Sequence, residues 1–142
     1  MKHVTILLVE DNEDDIVIIK RVFKKVKITN AIKIVRGGRE ALDYIYHRGA
    51  HADVKYDLPD IILLDISMPG MNGFEVLYEL KADPIIKRIP IVMLTSSSRE
   101  EDIVKSYENG ACSYITKPMN FDDFVKAIER FEIYWSLVSK VP

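Results

Sequence analysis

The sequence has little cysteine, no long apolar run and no large excess of charge of either sign. Its one cysteine, Cys112, excludes an internal disulfide, which is typical of a reducing compartment, and we predict the cytoplasm. No apolar run reaches the roughly 20 residues that a membrane helix requires, so no membrane partner is expected. A net charge of −2 provides no basic surface for nucleic acid. With these classes of protein excluded, the composition is that of an ordinary globular protein.

Short apolar runs alternate along the chain with longer segments of helical periodicity. The runs cover residues 4–9, 31–35, 61–64, 91–94 and 113–116, and the helical segments cover residues 16–26, 38–46, 72–81, 99–109 and 121–138. Because the runs are short, rich in β-branched residues and bounded by polar residues, they predict buried parallel strands. The alternation indicates an α/β fold with right-handed crossovers and a parallel sheet that carries five helices on its two faces. Two strand orders are common for such open sheets, and five strands suit the flavodoxin-like order 2-1-3-4-5.

The length of 142 residues suits a single domain with a substantial core. We predict that residues 4–128 form this core and that a long last helix and tail occupy residues 121–142. The polar segment 48–59 is expected to be an exposed loop. No second domain and no DNA-binding domain are expected.

The stretch TILLVEDNEDD places five acidic residues directly after the first strand. Asp14 and Asp15 fit the first turn of a helix, where acids favour the positive end of the helix dipole, and Glu13 is expected to be solvated or part of that cap. Glu10 and Asp11 stand closer to the strand, where carboxylates lose hydration and repel each other. A cation bound between them would make this arrangement tolerable.

Three further polar residues mark the ends of later strands: Asp65 after strand three, Thr95 after strand four and Lys117 after strand five. Taken singly, Asp65 and Thr95 could be local caps, and Lys117 could be a solvated surface residue. Their conjunction favours a site, because the carboxyl ends of parallel strands meet at one edge of a sheet. A few carboxylates with water suit Mg²⁺.

With these residues in place, the chain resembles the receiver domain of two-component response regulators over nearly its whole length. The segments that carry the resemblance are LLVEDN, IILLDISMPGMNGFEVL, IPIVMLTSSS, GACSYITKP and the amphipathic last helix. The resemblance implies a phosphorylation-controlled signalling switch of the single-domain type. Such a protein catalyses only its own phosphorylation and dephosphorylation.

The resemblance also implies a phosphorylation site with its metal. Asp65 would accept a phosphoryl group from a histidine kinase, of the phytochrome type or another sensor. Asp11 and Asp65 would bind Mg²⁺ directly, together with the backbone carbonyl of Ser67, and Glu10 would reach the ion through water.

A second set of roles concerns the switch. Thr95 would bind a phosphoryl oxygen, and Lys117 would pair with the charge on Asp65 or on its phosphate. Tyr114 matches the aromatic switch position, although a plain half-buried strand residue is the alternative. The family implies a cis bond between Lys117 and Pro118, where an ordinary trans proline is the alternative.

Two other functions stay open. A small phosphohydrolase could use Asp65 as its nucleophile, but it usually carries a second acid two residues later, where this chain has Ser67. A flavodoxin-like ligand binder would carry a glycine-rich or hydroxyl-rich loop after strand one, where acids stand instead. Incubation with acetyl phosphate and Mg²⁺ separates the switch from the phosphohydrolase, because a switch retains one phosphate per chain whereas a hydrolase turns over continuously.

The last predicted helix carries apolar residues on two sides. A 3-4-3-4-3 spacing predicts a stripe that packs on the sheet: Phe121, Phe124, Ile128, Phe131, Trp135 and Val138. Ile133 and Leu137 lie opposite this stripe. Scattered surface hydrophobes are ordinary, and the helix could also end earlier with its tail folded back. The sharper hypothesis is a symmetric homodimer through strand four, helix four, strand five and helix five, because the ending RFEIYWSLVSKVP resembles phytochrome-associated regulators in which that face dimerises.

This hypothesis predicts the effect of charge at the two outward positions. The double substitution Ile133→Glu and Leu137→Glu should convert a dimer to a monomer, because two carboxylates would be buried in an apolar interface. Light scattering in solution measures the mass of both proteins. A wild type that stays monomeric at high micromolar concentration, with and without phosphorylation, would contradict the dimer.

Overall fold

The computed structural model describes residues 5–25, 32–53, 58–106, 112–129 and 131. The strands are β1 (Ile6–Val9), β2 (Ile32–Val35), β3 (Ile61–Asp65), β4 (Ile91–Thr95) and β5 (Cys112–Thr116). The α-helices are α1 (Glu13–Lys25), α2 (Gly38–Ile45), α3 (Gly73–Lys81), α4 (Ser98–Ser106) and α5 (Phe121–Ile128). Single turns of 3-10 helix lie at Gly49–His51 and Ile86–Arg88.

The strands form one parallel sheet in the order β2-β1-β3-β4-β5, which confirms the predicted fold. The register places Val9 opposite Leu64, and Asp65 opposite Leu94. The strand ends are therefore nearly level, so residues that leave neighbouring strands emerge side by side at the carboxyl edge.

Helices cover both faces of this sheet because the strands are apolar on both sides. On one face, Ile6 and Leu8 join a core with α1 and α5, in which the rings of Phe23 and Phe124 meet edge to face with centroids 4.9 Å apart. On the other face, Leu7 packs in a second core with α2, α3 and α4. Each face thus buries an apolar helix stripe, and the sheet between them is rigidly held.

The connection between β3 and α3 is held tightly. Asn72 caps α3: its Oδ1 accepts from the Glu75 N–H at 3.0 Å, and the Glu75 carboxylate accepts from the Asn72 N–H at 3.2 Å. The Gly73 N–H donates to the carbonyl of Ile66 at 2.9 Å. Because the backbones approach closely there, a Cβ on Gly73 would collide with the Asp65 carbonyl oxygen and would lie 2.7 Å from the Ile66 Cα.

Two segments differ from the sequence prediction. The polar loop 48–59 contains the turn Gly49–His51 and buries His51, whose ring meets the Tyr44 ring edge to face at 5.3 Å. Helix α5 ends at Ile128, and the Phe131 N–H donates to the Ile128 carbonyl at 2.8 Å across a turn tighter than an α-helical one, so the predicted helix is interrupted before Phe131. The predicted positions 132–138 lie outside the described residues. Phe131 is nevertheless buried, as its place in the predicted stripe requires.

Several sequence predictions concern residues outside the described ranges. They include the end of helix four and the outward pair Ile133 and Leu137, so the dimer stays a prediction. Within the described ranges, no helix is both long and apolar enough to cross a membrane.

The crowding at Gly73 predicts a loss of stability on substitution. Gly73→Ala should lower the free energy of unfolding by about 1–3 kcal/mol, because the added methyl group forces the backbone of β3 and the helix start apart. Gly37→Ala is the matched control, since a Cβ there meets nothing within 4 Å, and it should cost under about 1 kcal/mol. Urea denaturation measures both values. Equal losses in the two variants would show that the approach at Gly73 is not tight.

Candidate functional site

The backbone pairing of the sheet continues past the strand ends and positions the polar residues that follow them. The Glu10 N–H donates to the Val35 carbonyl at 3.0 Å, and the Lys117 N–H donates to the Thr95 carbonyl at 2.7 Å. These residues are consequently held by the sheet itself and not by a loose loop.

The side chains of Lys117 and three acids meet at this edge. The Lys117 Nζ lies 2.7 Å from the Glu10 Oε1, 2.9 Å from the Asp15 Oδ2 and 3.0 Å from the Asp65 Oδ1. The Lys117 side chain is 16% exposed, whereas those of Glu10 and Asp65 are 0% and 3% exposed. One half-buried ammonium thus offsets the repulsion among three acids, two of which water can hardly reach.

Glu10 is the most deeply placed acid of the site. Its Oε2 accepts from the Asp11 N–H at 3.1 Å and from the Asn12 N–H at 3.2 Å. Its Oε1 contacts the Lys117 ammonium as an ion pair, without a hydrogen bond of regular geometry among the described residues. Burial, with a further contribution from the neighbouring Asp65, raises the pKa of Glu10 to about 8, although Lys117 opposes the shift.

The pKa of Lys117 also lies above its ordinary value, but for a different reason. Burial by itself lowers the pKa of Lys117, but the carboxylates of Glu10, Asp15 and Asp65 more than offset this and hold its pKa above the ordinary value. The ammonium is therefore charged throughout the physiological pH range and is available to an anion at Asp65.

The predicted metal ligands come together in the structure. Glu10, Asp11 and Asp65 each offer one carboxylate oxygen, and these oxygens lie within 4.8 Å of one another. Oxygen ligands at such spacing fit a hard divalent cation, which would relieve the repulsion that Lys117 offsets only in part. The Ser67 N–H donates to the Asp65 Oδ1 at 3.3 Å, so Ser67 adjoins the site, and the role of its carbonyl as a metal ligand stays a prediction.

The predicted switch residues lie beside this cluster. Thr95 is fully buried, and its hydroxyl donates to the Ile115 carbonyl on β5 at 3.4 Å. Tyr114 is half-buried, lies opposite Met93 in the sheet and packs against the core that contains α2 and α3. The Lys117–Pro118 peptide bond is cis, as the resemblance implies.

Two residues of the site were missed by the sequence analysis. Asp15 was interpreted only as a helix-cap acid, but it also pairs with Lys117. Glu100 accepts from the Ser67 hydroxyl at 2.7 Å and from the Ser96 N–H at 2.8 Å. Burial raises the pKa of Glu100, but these hydrogen bonds more than offset it and leave the pKa below its ordinary value. The pattern Ser97-x-x-Glu100 signals a helix start, yet no local pattern points from Glu100 to Ser67.

The fold and the site define a class of flavodoxin-like α/β domains, those with an acidic, lysine-containing pocket at the carboxyl edge of the sheet. Within that class, residues 6–129 match the family model described as the response regulator receiver domain. The chain belongs to the response regulator receiver family, and it is a signalling protein of the two-component type.

Individual relatives agree with this assignment. The response regulator Rcp1 of Synechocystis sp. is 38% identical over 130 residues, which cover 92% of this chain and 87% of Rcp1. The solved structure of the bacteriophytochrome response regulator AtBRR is 37% identical with a TM-score of 0.88, covering 99% of this chain and 100% of that one. The phosphorylated cyanobacterial phytochrome response regulator RcpA is 38% identical with a TM-score of 0.75, covering 99% of both chains.

The raised pKa of Glu10 predicts a pH-dependent stability in the absence of metal. The folded state holds the Glu10 proton more tightly than the unfolded chain does, in which Glu10 has the ordinary pKa of 4.5. The stability that the bound proton contributes is fully present below pH 4.5 and is lost as the pH rises to about 8. Between pH 5 and 8, the wild type should therefore lose about 1–4 kcal/mol relative to Glu10→Gln, which cannot ionise.

Urea denaturation in the presence of a chelator measures this difference. Glu13→Gln is the control, because the Glu13 side chain is 67% exposed and pairs with Arg36 at 2.6 Å, so its substitution should not reproduce the effect of Glu10→Gln. A Glu10→Gln variant whose stability follows that of the wild type over this pH range would show that Glu10 is ionised throughout.

Proposed function

We propose that this protein is a phosphorylation-controlled switch that accepts a phosphoryl group on Asp65. The observation that carries the proposal is the buried Asp65 carboxylate with the Lys117 ammonium 3.0 Å away, at an edge of the sheet where a donor can approach. Phosphoryl transfer depends mainly on positioning and on neutralising the charge of the transferred group, and this pair supplies both.

The proposed step is an in-line displacement. An oxygen of Asp65 attacks the phosphorus of a phosphohistidine on the kinase, a P–O bond forms, and the P–N bond breaks with its electron pair leaving on the imidazole nitrogen. The product is an acyl phosphate on Asp65. The added negative charge then faces Lys117, whose ammonium pairs with it.

Mg²⁺ is the proposed cofactor, held by Asp11, Asp65 and the backbone carbonyl of Ser67, with Glu10 reaching it through water. When bound, this ion neutralises charge on the phosphoryl oxygens. The clustered carboxylate oxygens support the proposal, and so does the Mn²⁺-bound structure of Rcp1, a relative 37% identical over 97% of this chain with a TM-score of 0.72. Manganese and magnesium prefer similar oxygen ligands.

The proposed readout is a change of packing around β5. A hydrogen bond from Thr95 to the phosphoryl group would take its hydroxyl away from the Ile115 carbonyl, and Tyr114 would turn further into the core beside β4. A charge event that biases two packings is a known switch design. The half-buried position of Tyr114 supports this proposal, because such a side chain can gain burial.

The proposed partners are a histidine kinase and a second copy of the chain. Relatives named as bacteriophytochrome response regulators support a phytochrome-like sensor as the phosphoryl donor. The proposed homodimer would use the face formed by β4, α4, β5 and α5, which contains Tyr114, so phosphorylation and assembly would be coupled. The cytoplasm is the proposed location.

The proposal predicts one labelled residue. Asp65→Asn should abolish labelling by acetyl phosphate and Mg²⁺, because an amide is a far weaker nucleophile than a carboxylate, while the nearly isosteric change leaves the fold intact. Asp14→Asn, an exposed acid near the site, is the matched control and should retain labelling of one phosphate per chain. Mass spectrometry of the intact protein counts the phosphates. Equal labelling of Asp65→Asn, with the phosphate mapped to Asp11, would overturn the proposal.

A further inference from the structure

The carboxylate of Glu100 ties together two loops that flank the candidate site. Its Oε2 accepts from the Ser67 hydroxyl at 2.7 Å, in the loop after β3. Its Oε1 accepts from the N–H of Ser96 at 2.8 Å and from the Ser96 hydroxyl at 3.2 Å, in the loop after β4. Glu100 itself lies in the first turn of α4, so one side chain joins this helix to the ends of two strands.

Helix capping explains only part of this arrangement. The Ser97 hydroxyl accepts from the Glu100 N–H at 3.2 Å, which caps α4, and the contacts of Glu100 with Ser96 are equally local. The contact with Ser67 spans 33 residues and does nothing for the cap. We call the hydrogen bond between the Ser67 Oγ and the Glu100 Oε2 the latch.

The latch lies close to the proposed phosphoacceptor, because Ser67 is two residues after Asp65. Ser67 donates its backbone N–H to the Asp65 Oδ1 at 3.3 Å while its hydroxyl donates to Glu100. A hydroxyl has a single proton to donate, so it cannot serve two acceptors at once. A phosphoryl group on Asp65 would bring three strong acceptor oxygens and nearly two negative charges next to this hydroxyl.

We propose that Glu100 is a positioning residue that holds α4 to the β3–α3 loop in the unphosphorylated protein, and that phosphorylation of Asp65 opens the latch by drawing the Ser67 hydroxyl to the phosphoryl oxygens. The proposal deepens the proposed function and rests on it. Opening the latch releases the first turn of α4 from the loop that carries the site, which supplies a second connection from Asp65 to the face containing α4.

The first test concerns the unphosphorylated protein and needs no phosphoryl chemistry. Ser67→Ala and Glu100→Ala should be non-additive in urea denaturation, with the unfolding equilibrium constant of the double variant departing about threefold to tenfold from the product of the single effects. Glu101→Ala is the matched control. Glu101 carries the same charge in the same helical turn but accepts from Thr116 on β5, so its effect should add to that of Ser67→Ala.

The second test measures the affinity for beryllium fluoride in the presence of Mg²⁺. Beryllium fluoride occupies the place of a phosphoryl group on a carboxylate. Glu100→Ala should bind it about threefold to tenfold more tightly than the wild type, because the latch no longer has to open. In the Ser67→Ala background the same substitution should bring no gain, since no latch remains. Glu101→Ala reports the effect of removing a nearby negative charge, together with its hydrogen bond to Thr116, while the latch stays in place.

The outcomes separate the latch from the proposed function. Additive unfolding effects of Ser67→Ala and Glu100→Ala overturn the latch, whatever the fate of Asp65. A gain in affinity that persists undiminished in Ser67→Ala shows electrostatic repulsion by Glu100 and overturns it as well. A wild type that takes up neither beryllium fluoride nor acetyl phosphate label overturns the proposed function, and with it the opening step.

Discussion

The contact between the Lys117 ammonium and three carboxylates is the interaction on which the arrangement of this molecule depends. Glu10 and Asp65 are almost completely buried, and a carboxyl group can ionise in such surroundings only beside an opposite charge. The lysine supplies that charge from β5 across the sheet, while Glu10 and Asp65 come from β1 and β3. Removing the lysine would leave carboxylates without compensation, so it supports the fold as well as the proposed chemistry at Asp65.

The sheet makes this contact possible because its register leaves the strand ends level. The ladder of hydrogen bonds continues to Glu10 and Lys117, and the two packed faces leave the strands little freedom to shift. The close approach of Gly73 to the β3 backbone fixes the loop beside Asp65 in the same way. The ammonium that lies about 3 Å from the Asp65 carboxylate is therefore held by rigid elements, which suits the proposed phosphoryl transfer by positioning.

The loops around the site are held less firmly than the site itself. The loops after β3 and β4 meet through hydrogen bonds of exposed and half-buried side chains, among them Glu100 and Ser67. Such contacts contribute little free energy each, so a new charge at Asp65 can rearrange them without disturbing the core. A rigid candidate site joined to weakly held neighbours is what the proposed two-state switch would require.

Much of this protein was predictable from its sequence. The apolar runs and their alternation with helical periodicity determined the fold class and strand order, and the residues that follow the strands determined Glu10, Asp11, Asp65, Thr95 and Lys117 as one cluster. These are properties of short segments and of the geometry of parallel sheets. Only the tertiary structure decided that Asp15 shares Lys117, that α5 ends at Ile128, and that Glu100 reaches Ser67. Those outcomes depend on which side chains face each other across distant loops, and local periodicity carries no information about such pairings.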